Sequence, residues 1–283
     1  MLRRARSVVV LCLFFGLSVI AAPALSQSTS KDFLGPLAPG LEYGTIPWIG
    51  ASPQSDSLLY VIRFDPAHWQ ILALAADSSE TLNAEEWAHT NTLSFVTNAG
   101  MYGEDGREHV GYFRSDGKVH TSYIHPRYES VIATDPIDPD DDPFGIFDTD
   151  LRPIEEILSS YDTVIQNLRL IRSPRENRWS AQDRQWAEMS VAEDDRGRIV
   201  FLFTPIPISM YEWNGWLLSL PLGIVNAQHL EGRSDAQFYL RVGEFEVSQI
   251  GQTGLGLGFH RRNGTPLPNV LGMIPRTVGA DVP

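Results

Sequence analysis

The residues of this chain best placed to do chemistry are two polar side chains, each at the end of an apolar run and each followed closely by glycine. Val225-Asn226-Ala227-Gln228-His229-Leu230 runs into Glu231-Gly232-Arg233-Ser234-Asp235, and a second alternating run, Ala236 to Leu240, leads away. Far upstream, Leu93-Ser94-Phe95-Val96-Thr97 runs into Asn98-Ala99-Gly100-Met101-Tyr102. A strand ending in a carboxylate or an amide lets a rigid sheet hold that group at the edge of a cleft, while the glycine lets other backbone come close. The plainer reading is that both are ordinary strand-to-turn transitions.

Other reactive groups are scarce. Cys12 is the single cysteine, so a thiol nucleophile, a cysteine metal site and a disulfide are not expected in the exported chain. The seven histidines (His68, His89, His109, His120, His125, His229, His260) form no His-x-x-x-His or His-x-His pair, which disfavours a zinc hydrolase. There is no Gly-x-Ser-x-Gly elbow. Gly254-Leu255-Gly256-Leu257-Gly258 is not followed by a helical pattern and reads as closely packed strand backbone rather than a dinucleotide loop. Asp135, Asp138, Asp140, Asp141 and Asp142 supply closely spaced oxygens suited to Ca²⁺, but they lack EF-hand spacing and are stiffened by prolines. A solvated acidic loop is the favoured reading, and no cofactor is expected.

Carboxylates remain as the chemical groups. Cleavage of a glycoside stabilises an oxocarbenium-like centre with one carboxylate and commonly uses a second to protonate the leaving group. When the leaving group is a phosphate ester, that proton matters little and a cationic hold on the phosphate matters more. One strand-end acid and one arginine are then a sufficient minimum.

The elements that must position these groups are mostly strands. Leu58–Phe64 and Trp69–Ala75 read as a hairpin across Asp65-Pro66-Ala67-His68. Asn83 caps a short helix over 84–90. Val110–Arg114 and Lys118–Tyr123 flank the turn Ser115-Asp116-Gly117. A short strand is expected within 144–150, a helix from Pro153 to about Ser160, and one strand over 162–171. Ala187–Ala192 and Arg198–Thr204 pair across Asp194-Asp195-Arg196-Gly197, and Ser209-x-x-Glu212 opens a helix that ends before Pro221. There are no repeats and no regular strand–helix alternation, so the expectation is an α+β fold of mixed twisted sheets with a few short helices in a single domain. Residues 57–262 are assigned to that domain, 27–56 to an extended lead-in and 263–283 to a tail.

Residues 1–26 read as a secretory leader: Arg3, Arg4 and Arg6 precede an apolar core from Ser7 to Ile20, with cleavage expected near Ala24 to Ser26. The core is too short to favour a membrane span, and a periplasmic or secreted chain of about 257 residues is expected, with no membrane span after cleavage. The net charge is −13; without the three leader arginines it is −16, which disfavours nucleic acid and anionic lipid as partners.

Read together, the motifs are familiar. Asn98-Ala99-Gly100-Met101-Tyr102 followed by Val110-Gly111, then Gln166-Asn167-Leu168-Arg169-Leu170-Ile171, then Glu193 to Val200, then Leu230-Glu231-Gly232-Arg233-Ser234-Asp235-Ala236, resemble in order the motifs of the phosphodiester glycosidase family. The resemblance spans about residues 58–241 and suggests a divergent bacterial member. Three positions depart from the pattern: Glu231 stands where the family has Asp, Arg233 where it has Gly, and Glu188 where it has Arg, with Arg184 a nearby substitute. The resemblance implies a hydrolase of sugar-1-phosphate diesters in an envelope glycan or glycolipid. Glu231 would be the reacting carboxylate or the base to water, and Arg169 or Arg233 would hold the phosphate. Asn98 and Asn167 would bind the sugar, and Gly100 and Gly232 would give room. Asp235 is read as a turn-stabilising side chain. The alternatives are a non-catalytic glycan-binding protein that kept the fold, and a Ca²⁺-stabilised structural module.

Overall fold

A computed structural model describes residues 33–47, 58–76, 82–103, 106, 108–252 and 264–277. Among them, strands make three sheets, and every strand pairing is antiparallel. The sheets are therefore not of mixed direction, as the absence of strand–helix alternation already suggests. The leader, the Gly254–Gly258 run and His260 lie outside the described residues.

The largest sheet has eight strands in the order 34–38, 41–47, 58–64, 199–208, 186–194, 224–232, 169–172 and 176–177. A second sheet orders 118–121, 113–115, 161–167, 130–136 and 144–148; a third orders 245–250, 237–242, 95–98, 269–275 and 69–75. The Ile199–Ile208 strand shows why the large sheet is buried on both sides. Ile199, Phe201 and Phe203 point into a core shared by all three sheets, while Val200 and Leu202 point the other way, onto Trp213 and Leu217 of the helix Met210–Ser219. Such a two-sided strand reads as a continuous apolar run because both members of its period-two alternation are buried.

In the shared core Phe95 of the third sheet packs 4.6 Å from Phe201 of the first, ring centre to ring centre. Helices cover the outer faces of the smaller sheets: Ala84–Asn91, closed by a capping box between Asn83 and Glu86, lies on Val96, Tyr239 and Val270, and Ile154–Ser160 lies on Val131 and Val164.

Several expectations change at long range. Leu58–Phe64 and Trp69–Ala75 are not a hairpin: Asp65–His68 does reverse the chain, but the two strands join different sheets and face each other across the core. The single strand expected over 162–171 is two, Tyr161–Asn167 and Arg169–Arg172, and the chain changes sheet at Leu168. The supposed lead-in supplies two strands to the large sheet. The supposed tail supplies Asn269–Pro275, which pairs on one side with Trp69–Ala75 and on the other with Phe95–Asn98. The paired extent of the fold thus exceeds residues 57–262. Among the described residues no helix is long and apolar enough to cross a membrane.

Candidate active site

The two strand ends singled out above meet. Glu231 closes the Ile224–Gly232 strand of the large sheet, and Asn98 closes Phe95–Asn98 of the third. The loop leaving Asn98 crosses to the carboxylate, where the Tyr102 amide donates to Glu231 Oε1 at 3.2 Å; the Gly232 amide donates to Oε2 at 2.8 Å. Two backbone donors fix an acid without neutralising it. Beneath the loop, Asn167 Nδ2 donates to the Leu230 carbonyl at 3.0 Å, tying the end of the 161–167 strand to the residue before Glu231.

The glycines are explained by close approach. A Cβ on Gly100 would lie 2.2 Å from His109 Cε1 and 3.2 Å from Asn167 Nδ2; one on Gly232 would lie 2.4 Å from Trp186 Cδ1. Asn98, Gly100, Asn167, Glu231 and Gly232 therefore form one neighbourhood. Asn98 is fully buried, and its Oδ1 accepts the Gln237 amide at 3.2 Å while Nδ2 has no partner among the described residues.

Behind Glu231 lies a charged network. Glu188 is completely buried on the adjacent strand, and its carboxylate accepts from His229 Nδ1 (2.7 Å), Ser190 Oγ (2.8 Å) and Trp186 Nε1 (2.9 Å). Trp213 Nε1 in turn donates to Ser190 Oγ at 2.9 Å. His229 Nε2 lies 3.8 Å from Glu231 Oε2. Burial works against a charged ring, but Glu188, with the help of Glu231, outweighs it and raises His229 to about 10. Burial also pushes Glu188 above the ordinary carboxylate range; three donors nevertheless favour its ionised form, so the shared proton resides on the imidazole.

A second buried histidine takes the opposite state. His109 Nε2 lies 2.9 Å from the Gln166 carbonyl, which can only accept, so this nitrogen carries the hydrogen. Its Nδ1 is buried without a partner among the described residues, and burial lowers the ring to about 4. Nδ1 is thus a bare acceptor at the Gly100 turn, 2.7 Å from where a Cβ there would lie. Two other groups respond to the charge on Glu231. Asp235 is raised by burial and then by Glu231, while accepting from Thr265 Oγ1 at 2.5 Å, and the Tyr102 hydroxyl is raised by burial and by both acids.

The arginines fare differently. Arg169 is occupied: its nitrogens contact Glu129 (2.5 Å), Asp150 (2.7 Å) and Asp148 (3.4 Å). Its guanidinium is engaged by three acids of the protein, which counts against the expected role of holding a ligand phosphate. Arg233, exposed and just past Glu231, makes no side-chain hydrogen bond or ion pair among the described residues. Of the acidic loop, Asp135 accepts from Thr163 Oγ1 and Asp138 accepts the Asp140 amide. Among the described residues no three His, Asp or Glu side chains converge to hold a metal.

Sequence reasoning passed over His109, His229, Tyr102 and the closeness of Asp235. The one local signal was His-x-Glu at 229–231, since residues two apart on a strand share a face; Glu188 is placed beside them only by strand pairing.

An acid at a strand end, held by backbone amides and opened by two glycines, is the arrangement expected of a β-sheet hydrolase site. The chain belongs to the phosphodiester glycosidase family, which matches it over residues 91–274. No curated protein matches it in sequence. Among solved structures it is similar to the catalytic domain of zebrafish N-acetylglucosamine-1-phosphodiester α-N-acetylglucosaminidase, auto-inhibited by its pro-peptide. The TM-score is 0.60 at 16% identity, covering 88% of this chain and 87% of that one. It is also similar to a hypothetical protein from Synechocystis, with TM-score 0.59 at 11% identity over 84% of this chain and 62% of the other.

Proposed function

We propose that this protein is an exported hydrolase that cleaves the bond between the anomeric carbon of a sugar and a phosphodiester oxygen. The expected substrate is an envelope glycan or glycolipid. Water adds to the sugar carbon, and the phosphate leaves as a monoester carrying the original oxygen. Glu231 is the reacting group, either stabilising positive charge at the anomeric carbon or taking the proton from water. The single observation that carries this reading is the contact between the Tyr102 amide and Glu231, which joins the Asn98 loop to the acid.

The unpaired atoms support the reading. Asn98 Nδ2 is a donor and His109 Nδ1 an acceptor, each buried without a partner among the described residues, and a sugar hydroxyl satisfies both kinds. Arg233 takes the phosphate. It sits at φ 57°, a backbone region costly for a side chain with a Cβ, and a residue kept under such strain points to a role for its side chain. Location in the envelope rests on the leader at residues 1–26.

The test is incubation with the methyl diester of N-acetylglucosamine-1-phosphate and with diesters of other sugars. Release of free sugar together with methyl phosphate supports the assignment. Saturable binding without any product supports the glycan-binding alternative, which the departures at Glu188 and Arg233 favour.

A further inference from the structure

Glu188 and His229 do work that the reaction scheme above leaves unassigned. A carboxylate with no exposure is costly to bury and needs its charge answered. Here three side chains from the same sheet converge on it, and one of them, His229, turns its other ring nitrogen toward the reacting acid. We propose that Glu188 and His229 are positioning residues for Glu231, in which Glu188 accepts the Nδ1 hydrogen and thereby directs the Nε2 hydrogen at the Glu231 carboxylate. This rests on Glu231 being the reacting acid.

The geometry fixes the ring. With Nδ1 bonded to Glu188 at 2.7 Å and the Trp186 indole packed edge-on at 6.4 Å, the imidazole has one orientation, and Nε2 faces Glu231 Oε2 at 3.8 Å. The Gly232 amide holds the same oxygen, and the Tyr102 amide holds the other. Glu231 is therefore pinned through both oxygens, with a cation behind one of them. At 3.8 Å the ring contact is an ion pair rather than a short hydrogen bond; it shortens if Glu231 draws in on binding substrate.

The titratable groups facing His229 are Glu188 from the neighbouring strand and Glu231 from its own. Glu231 in turn acts on Tyr102, His109, Tyr128 and Asp235 in the surrounding loops and turns. These groups are neutral or acidic, so the imidazolium, 3.8 Å from Oε2, is the positive charge that answers Glu231 among them; Arg233 follows two residues on, exposed. The arrangement makes activity depend on a proton that is not transferred. In the wild type the ring keeps it until the pH approaches 10. In Glu188→Gln it loses it at lower pH, and a bare Nε2 lone pair then opposes Glu231.

Two measurements test this separately from the functional reading. First, ¹⁵N and ¹³C NMR on resting, substrate-free protein reads the His229 ring and the Glu231 carboxyl. The expected result is a doubly protonated ring at neutral pH and, in His229→Gln, a displaced Glu231 carboxyl ¹³C resonance at that pH, because the cation 3.8 Å from Oε2 is gone. A neutral His229 at pH 7, or an unmoved Glu231 resonance, overturns the proposal whatever the substrate. Second, with the methyl diester of N-acetylglucosamine-1-phosphate, Glu188→Gln and His229→Gln lower kcat on the order of 10²-fold with KM nearly constant. In Glu188→Gln the alkaline limb also moves to lower pH. An unmoved limb with full kcat overturns it, even if Glu231→Gln is inactive. If the wild type cleaves no diester, the functional reading fails while the NMR result decides this one. Should Glu188→Gln not fold, His229→Gln carries both tests.

Discussion

Two clusters of oppositely charged side chains, one around Arg169 and one around Glu231, serve different ends. Around Arg169 one guanidinium meets Glu129, Asp148 and Asp150, and Asp148 also accepts the Ser173 amide. Every charged group there has a partner supplied by the protein. Around Glu231 the acid is anchored by two amides and backed by His229, yet Asn98 Nδ2, His109 Nδ1 and Asn269 Oδ1 remain buried and unpaired among the described residues. Unpaired buried polar atoms cost free energy, and a fold tolerates them where something else will bind. Closed charge networks hold the scaffold; the open one is the site.

That contrast is broken most severely by Glu231→Gln. It should lower kcat on the sugar-1-phosphodiester by about 10³-fold with only a small fall in melting temperature, because the amide oxygen still accepts one of the two backbone N–H groups while its NH2 faces the other. Arg169→Met should do the reverse. It strands the buried Asp148 and should cost about 2 kcal/mol in urea denaturation, the two half-exposed partners contributing little, with kcat/KM preserved. Gly100→Ala lies between the two. Its new methyl meets His109, so a similar loss of stability, about 1–3 kcal/mol, should come with reduced turnover.

The smallest effect is on pH. His109 binds its proton less readily folded than unfolded, so stability should decline as pH falls from 6.5 toward about 4. His229 binds its proton more readily folded. What it contributes is fully present below 6.5 and lost as pH rises toward about 10. Melting curves across pH should show both limbs, and His109→Gln should flatten only the acidic one.

The parts of the site legible in the sequence were those with a local signature. Asn98-Ala-Gly100 and Glu231-Gly232 combine a strand end with a glycine whose need is steric, and neighbouring side chains, His109 and Trp186, explain both. Arg169 shows the limit of such reading: its charge is visible in the sequence, but the acids that consume it come from residues 129, 148 and 150, on other segments. The Asp65–His68 turn likewise announces a reversal without saying whether the flanking strands pair; register over a hundred residues away sends one to Ile199–Phe203 and the other to Asn269–Pro275. Asn269–Pro275 itself follows a glycine- and proline-rich stretch and reads as a tail, although it lies inside a sheet.

The central claim is that bond breaking occurs at the sugar carbon, driven by Glu231. Hydrolysis of the methyl diester of N-acetylglucosamine-1-phosphate in ¹⁸O-labelled water, followed by mass spectrometry of both products, tests it most directly. The label should enter the sugar and be absent from methyl phosphate. Label in the phosphate would mean attack at phosphorus and would contradict the account.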